Sequence, residues 1–180
     1  MPIRRALSTL RRNRSAAVTV EFALMLPVLL ALTFGCFEVG WLLQAEQKAK
    51  AVASDMAEQV AAVNNTTGTA NIENYCSIGY LEVAPAAGYL LAGIASVTNY
   101  QGSGVTVDWN QACIFSPTVS DPAGIATTSP SLVPNVGDTV ILAQVTYVYN
   151  PPIHFVLLPA SWNLTVVGFA RPYNGAPVQL

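Results

Sequence analysis

From Phe22 to Phe37 the chain runs sixteen residues without a charge, between a carboxylate at Glu21 and another at Glu38. As a helix that run covers about 24 Å, less than the roughly 30 Å of a bilayer core. A spanning helix has to take in one of the flanking acids. Sliding the span toward Ala16 buries Glu21 about a turn deep, and sliding it outward to Leu43 buries Glu38. Trp41, placed as an interfacial anchor on the far side, favours the first. Pro27 removes a backbone donor and crowds the carbonyl of Ala23, which predicts a kink of the kind that membrane helices tolerate. Further on, Ala45, Ala49, Val52, Met56, Val60 and Val63 recur at spacings of three and four, one apolar helical face, with Glu46, Lys48, Lys50, Asp55 and Glu58 largely off it. The pattern predicts one helix over 17–63, about 70 Å long, stopped by the breakers Asn64 to Gly68.

Beyond residue 63 the period changes to that of strands, and ten of the twelve prolines and ten of the twelve glycines lie there. Ile94 to Trp109 predicts a hairpin turning at Gln101 to Gly104, with Val105, Val107 and Trp109 on one face and Thr106 and Asp108 on the other. Residues 116–137, with four prolines, predict a long loop. Asp138 to Tyr149 is apolar on both faces and predicts a central strand. Asn150 to Pro152 turns it, the segment 153–158 returns as a strand or connector, and Asn163 to Ala170 is the last strand. About four antiparallel strands cannot bury both faces alone, so the second half of the long helix is the natural cover, giving an α+β architecture.

Charge changes the picture by giving the chain a direction. Five of the eight basic residues, Arg4, Arg5, Arg11, Arg12 and Arg14, precede the apolar run, and all ten acidic residues lie at or after Glu21. The positive-inside bias places the amino terminus in the cytoplasm and the region 64–180 outside it. An anionic body with no basic stripe is a poor nucleic-acid binder, and no nucleic-acid partner is expected. Outside the cytoplasm a disulfide persists, so Cys76 and Cys113 are candidates to pair, against the alternative of two separate buried thiols; Cys36 is read as a small packing residue.

Catalytic chemistry is sparse. His154 is the single histidine and has no second ligand near it in sequence, so neither a metal site nor a nucleophile-and-base set is indicated. The glycines at 102 and 104 belong to a hairpin turn and not to a phosphate loop, and Asp108, Asp121 and Asp138 are scattered. No enzyme, metal or cofactor is expected. Glu21 stands apart, because a carboxylate within a spanning helix costs about 2.5 to 3.5 kcal/mol on insertion scales and usually has a partner or a task. The plain reading is a carboxylate at the helix start, snorkelling beside Arg14 and favoured by the helix dipole.

The stretch from Arg11 to Ala61 resembles the amino-terminal signature of TadE-like pseudopilins of the tight-adherence (Flp-type) pilus system. The residues that carry the resemblance are Val20, Glu21, Phe22, Ala23, Leu24, Leu26, Pro27, Gly35, Glu38 and Gly40, in the pattern V-E-F-A-L-x-L-P followed by G-x-x-E-x-G. The resemblance is close over residues 11–63 and loose beyond. It implies a pilin-like fold and a basic leader, residues 1–16, cut by a prepilin peptidase between Ala16 and Ala17. Ala16 stands where such leaders normally end in Gly. The cut puts Glu21 at the fifth position of the mature chain, and with Phe22 and Pro27 beside it makes Glu21 the assembly and register position. The freed amine of Ala17 lies one helical turn from Glu21, so in a bundle the amine of one subunit could meet the carboxylate of its neighbour. Implied partners are other pilins or pseudopilins, the inner-membrane assembly platform and membrane lipid. The small residues Ala31, Gly35 and Gly40 would permit close helix approach.

Two other readings share these features. One is a single-pass anchor presenting an extracytoplasmic binding or adhesion module, uncut and unassembled. The other is a lipoprotein modified at Cys36, against which Thr33 and Phe34 fit the lipidation signal poorly and the helical pattern runs straight through the site.

Overall fold

A computed structural model describes residues 14–63, 69–83, 88–113, 116–128, 132–150, 161–175 and 177–178. The first helix, α1, runs unbroken from Arg14 to Ala61 and contains Pro27. Its last turn tightens, with the Ala62 N–H donating to the Glu58 carbonyl and the Val63 N–H to the Val60 carbonyl, so the regular helix stops two residues before the apolar period does. A second helix, α2 (Thr69–Val83), follows where the sequence predicted strand texture. Its signal was present but short: Ile72, Cys76 and Gly79 are buried and Tyr75 and Tyr80 half-buried, again at spacings of three and four. Gly79 lets α2 settle on α1, since a Cβ there would come within 3.0 Å of the Met56 sulfur and 3.1 Å of Val52.

Four antiparallel strands form one sheet in the order β2-β1-β3-β4, where β1 is Gly88–Tyr100, β2 Gly104–Ala112, β3 Thr139–Tyr149 and β4 Trp162–Ala170. The architecture is α+β, a long apolar helix packed on a small antiparallel sheet. As its two-sided apolarity required, β3 is central and buried along nearly its whole length. The second half of α1 lies on one face of the sheet. Ala45, Ala49, Val52, Ala53, Met56, Ala57 and Val60 pack there against Ile94, Ile141, Ala143, Val145 and Tyr147. The approach is closest at Gly168, where an added Cβ would land on the backbone of Ala53 and Ser54. With no side chain on β4 at that point and small residues on the helix, the two backbones touch.

The opposite face is closed by the stretch that the sequence read as a long loop. That stretch contains a short helix, α3 (Pro122–Thr128), and a second core in which Ala126, Leu132 and Val133 cover Val97, Val140 and Leu142. It is pinned by side chains of the sheet. Asn110 donates to the Val119 carbonyl at 2.8 Å and accepts from the Val119 N–H at 3.0 Å, and Gln144 accepts from the Ser120 N–H at 2.7 Å. The strand beneath makes room with Gly93, whose absent Cβ would meet the Pro117 carbonyl at 2.8 Å. The prolines therefore shape a packed strap, whose apolar residues are too irregularly spaced to show a period in sequence.

The hairpin also departs from simple alternation. Ser96 pairs with Trp109 but Val97 pairs with Val107, so Asp108 is an extra residue and β2 carries a bulge. The bulge separates residues that alternation placed together. Val105 packs on the strap-side core, whereas Trp109 packs on the helix-side core. Asp108 turns inward and accepts from Ser96 at 2.9 Å, Thr98 at 2.6 Å and Tyr100 at 2.8 Å. Thr98 shares a 2.9 Å bond with Thr139. Buried hydroxyls at that end of the sheet are thus satisfied by one carboxylate.

Cys76 and Cys113 are joined by a disulfide, which ties α2 to the residue after β2. For the 37-residue separation the chain-entropy model gives about 3 to 4 kcal/mol of stabilisation. Replacing both cysteines by serine is expected to lower the unfolding midpoint of the detergent-extracted chain by an amount matching that loss. Gly168→Ala should destabilise by about 1 to 3 kcal/mol through overpacking, whereas Gly40→Ala, with open space at its Cβ in a helix interior, should not lower the midpoint and should raise it slightly.

Candidate functional site: the exposed half of the long helix

Among the described side chains, those of the first half of α1 are exposed or at most half-buried before Glu38. The helix is long and apolar enough to cross a membrane, and its most apolar stretch, with a mean hydropathy of 2.1, has no buried residue. Val18, Phe22, Leu24, Met25, Val28 and Leu32 are all exposed, Leu24 by 70%. A contiguous apolar surface of this size does not persist in water; it marks a membrane or protein contact.

At roughly 100° per residue, the helix sorts the positions named from the sequence onto different faces. Ala31, Gly35, Glu38 and Leu42 fall on one stripe, which continues into buried Ala45 and Ala49, and Pro27 lies beside it. Leu42 packs against the helix-side core, whereas Ala31 and Gly35 share its side of the helix but precede the packed half. Gly40 lies on the opposite side with Phe22, both exposed. Nothing stands within 4 Å of a Cβ at Gly35 or Gly40, so neither glycine is required by a contact among the described residues. Ala16 and Ala17 lie in the first turns of α1, and Glu21, exposed, follows Ala17 by one turn. The leader before residue 14 and His154 lie outside the described residues.

Glu38 is the residue that the sequence placed least well. The sequence offers it only as an alternative intramembrane acid, yet it is 2% exposed. It lies close enough to the Tyr149 hydroxyl for its charge to act there. The signal was in the spacing, because Glu38 is seven residues before Ala45 and continues the buried stripe by two turns.

Helix and strands share one direction, which fixes what lies level with Glu38. Trp162 pairs with Tyr149, and Gly168, six residues on, is roughly 20 Å along the strand. Its contact Ala53 is fifteen residues past Glu38, about 22 Å along the helix. Farther out, the Tyr173 N–H donates to the Ala61 carbonyl at 3.3 Å, again at nearly equal distances from Trp162 and Glu38, roughly 36 and about 35 Å. The end of the sheet holding Gly88, Tyr149 and Trp162 therefore stands level with Glu38. Below that level residues 18–37 hold no buried side chain, twenty residues covering about 30 Å, a bilayer core's thickness.

Other chemistry is slight. Among the described residues no group of three His, Cys, Asp or Glu side chains could hold a metal. A shallow cavity of about 100 Å³ lies between the strap and the sheet, lined by Leu91, Gly93, Pro117, Ser120, Gln144 and Thr146. Cys36 is a free, exposed thiol in the middle of the helix.

Burial raises the Tyr149 phenol above its usual value of 10.0, and the Glu38 charge adds to the effect; burial likewise raises Tyr147, with Tyr149 adding. Among the described residues neither buried hydroxyl has a hydrogen-bond partner. Because the folded values are raised, the stability held in these neutral phenols is complete below pH 10 and is lost as pH climbs through the folded values. Ultraviolet titration of tyrosinate is expected to show two phenols ionising late and together with alkaline unfolding. Glu38→Gln should bring Tyr149 down toward 10 while moving Tyr147 less.

No curated protein and no solved structure matches the chain. The helix itself does find a family: residues 16–58, from the first turns of α1 through its exposed half and into the packed half, match the model of the TadE-like protein family.

Proposed function

We propose that this chain is a TadE-like pseudopilin, a minor pilin or assembly factor of a tight-adherence pilus, held in the cytoplasmic membrane by α1. The residues from 64 onward form the extracytoplasmic domain. The leader, residues 1–16, is removed on the cytoplasmic face by a prepilin peptidase, leaving Ala17 as the new terminus. The observation that carries the reading is Glu21, an exposed carboxylate one turn after Ala17 in the exposed, apolar half of α1, inside the segment that the family model matches.

The physical logic follows from the length of exposed, apolar helix. If lipid occupies residues 18–37, Glu21 lies about a turn below the cytoplasmic boundary, too deep to be hydrated without cost. An ammonium at Ala17 of a neighbouring helix meets that carboxylate and neutralises both charges. Because the pair forms only when two helices are staggered correctly, it sets axial register between subunits. The face bearing Phe22 and Gly40 points away from the chain's own domain and is the one offered to other pilins or to the assembly platform. The function is mechanical packing and not catalysis.

Intact-mass measurement of the membrane-extracted protein is expected to show loss of residues 1–16. A full-length chain would leave an uncut single-pass anchor, and a lipid on Cys36 would make it a lipoprotein. Glu21→Ala should insert as well as the parent or better, by up to about 2.5 to 3.5 kcal/mol on insertion scales, yet abolish pili. Normal pili in that variant would contradict the pairing.

A further inference from the structure

Cys76 sits in the middle of the buried stripe of α2, about one turn from Ile72 on one side and from Gly79 on the other. Its disulfide partner Cys113 follows β2, and both cysteines belong to the helix-side core with Val52 and Met56. Cys76 is 1% exposed and Cys113 2%. The two are held in different ways. The backbone of Cys113 is stitched to the sheet, its N–H donating to the Ala92 carbonyl at 2.9 Å while its carbonyl accepts from the Ser116 N–H at 2.9 Å. The helix α2 is held instead by side chains, with Gly79 closing on Met56 and Val52 and Tyr80 sharing a 3.1 Å hydrogen bond with Ser116. Its outer face carries the exposed Asn71, Glu73, Asn74 and Ser77, so α2 is the layer between the bond and water on that side.

Thiol–disulfide exchange requires a thiolate to reach a sulfur atom, so its rate depends on access as well as on the thiols themselves. Cysteines enclosed in an apolar core are inert for the same reason. A helix that lifts as a unit opens a path to the bond without dismantling the sheet, because local openings cost less than global unfolding where an element is held by few contacts. Formation and cleavage of the bond pass through that same open state.

We propose that α2 is a gate over the Cys76–Cys113 pair, which is oxidised by a disulfide-bearing oxidant while α2 is lifted and is sealed from exchange once α2 seats on α1. In the open state one cysteine thiolate attacks the disulfide of the oxidant, displacing one of its sulfurs and leaving a mixed disulfide. The second cysteine thiolate attacks the chain-side sulfur of that bond and displaces the other. The chain gives up two electrons and two protons, and the oxidant's disulfide ends as two thiols. Only the compartment of that encounter depends on the extracytoplasmic placement of the domain; the seal does not.

The purified full chain in detergent micelles is exposed to dithiothreitol without denaturant, quenched at intervals with a thiol alkylator and measured by intact mass. Cys36 is a free, exposed thiol and is alkylated in every sample, so reduction of the bond reads as two further additions. Dithiothreitol is the stringent probe, because a protein oxidant needs a wider opening. The bond should persist for hours in the folded chain and be lost within minutes in denaturant. Ile72→Ala loosens the buried stripe of α2 without touching either cysteine and should speed reduction in the folded chain by about tenfold or more. Leu132→Ala, a comparable loss in the core beneath the strap, should stay near the parent rate. Tyr80→Phe, which removes the bond to Ser116 and keeps the ring, is the milder variant should Ile72→Ala not fold; it should speed reduction by about threefold. Equal acceleration by the α2 and strap variants, or none by either α2 variant, would overturn the gate. Reduction of the folded parent as fast as of the denatured chain would overturn the seal itself. Every arm is read on the folded domain in micelles, so a failed membrane span would leave these results unchanged.

Discussion

The seam between the second half of α1 and the sheet sets everything else in this molecule. Backbone meets backbone at Gly168 and Ala53, a contact that tolerates no side chain on the strand and favours small residues on the helix. That single close approach aligns helix and strands, and the alignment decides which turn of the helix is the last one covered. Glu38 is the first buried side chain along the described helix, and residues 18–37 before it are exposed or half-buried. The length of exposed helix is thus set by the folded domain as much as by the apolar run.

This resolves the choice posed by two flanking carboxylates. A sixteen-residue charge-free run is too short for a bilayer core, and the sequence alone permits the span to extend either way. Glu38 is already engaged with the end of the sheet, beside Tyr149, and is shielded from lipid by the domain. On the proposed reading of α1 as a membrane span, the shortfall then falls on Glu21, which is exposed. Two acids of similar appearance therefore have different duties. Glu38 belongs to the junction of helix and domain, and Glu21 is the exposed group for which we propose a partner from another subunit.

Much of the architecture is legible in the residues because period and burial coincide. The stripe from Ala45 to Val60 marks a helix packed on one side, and the two-sided apolarity of residues 139–149 marks a central strand. What escaped has physical reasons. The helix α2 is short, and its apolar positions include a glycine and a cysteine, which carry little hydrophobic weight. The strap over residues 116–138 is held by Asn110 and Gln144 acting on backbone groups, an arrangement with no sequence period. The bulge at Asp108 reverses alternation in β2, and a carboxylate serving three hydroxyls is visible only once the strands are paired. For the candidate site, the identities of Glu21 and Pro27 are plain in the sequence, whereas the division of Ala31, Gly35 and Gly40 between an inner and an outer face depends on where the domain sits.

The account is tested most directly by mapping where the helix leaves lipid. Spin labels placed singly at exposed positions of α1 from Val18 to Glu46, in the full chain in bilayers, report contact with oxygen in the acyl core or with a water-soluble nickel complex outside it. Preferential oxygen contact from about residue 18 to residue 37, with crossover to nickel contact by residues 39 to 43, is the predicted profile. A lipid-exposed stretch that starts beyond Glu21 and continues past Leu43 would contradict it, because the domain would then have to release Glu38 and leave Glu21 in water.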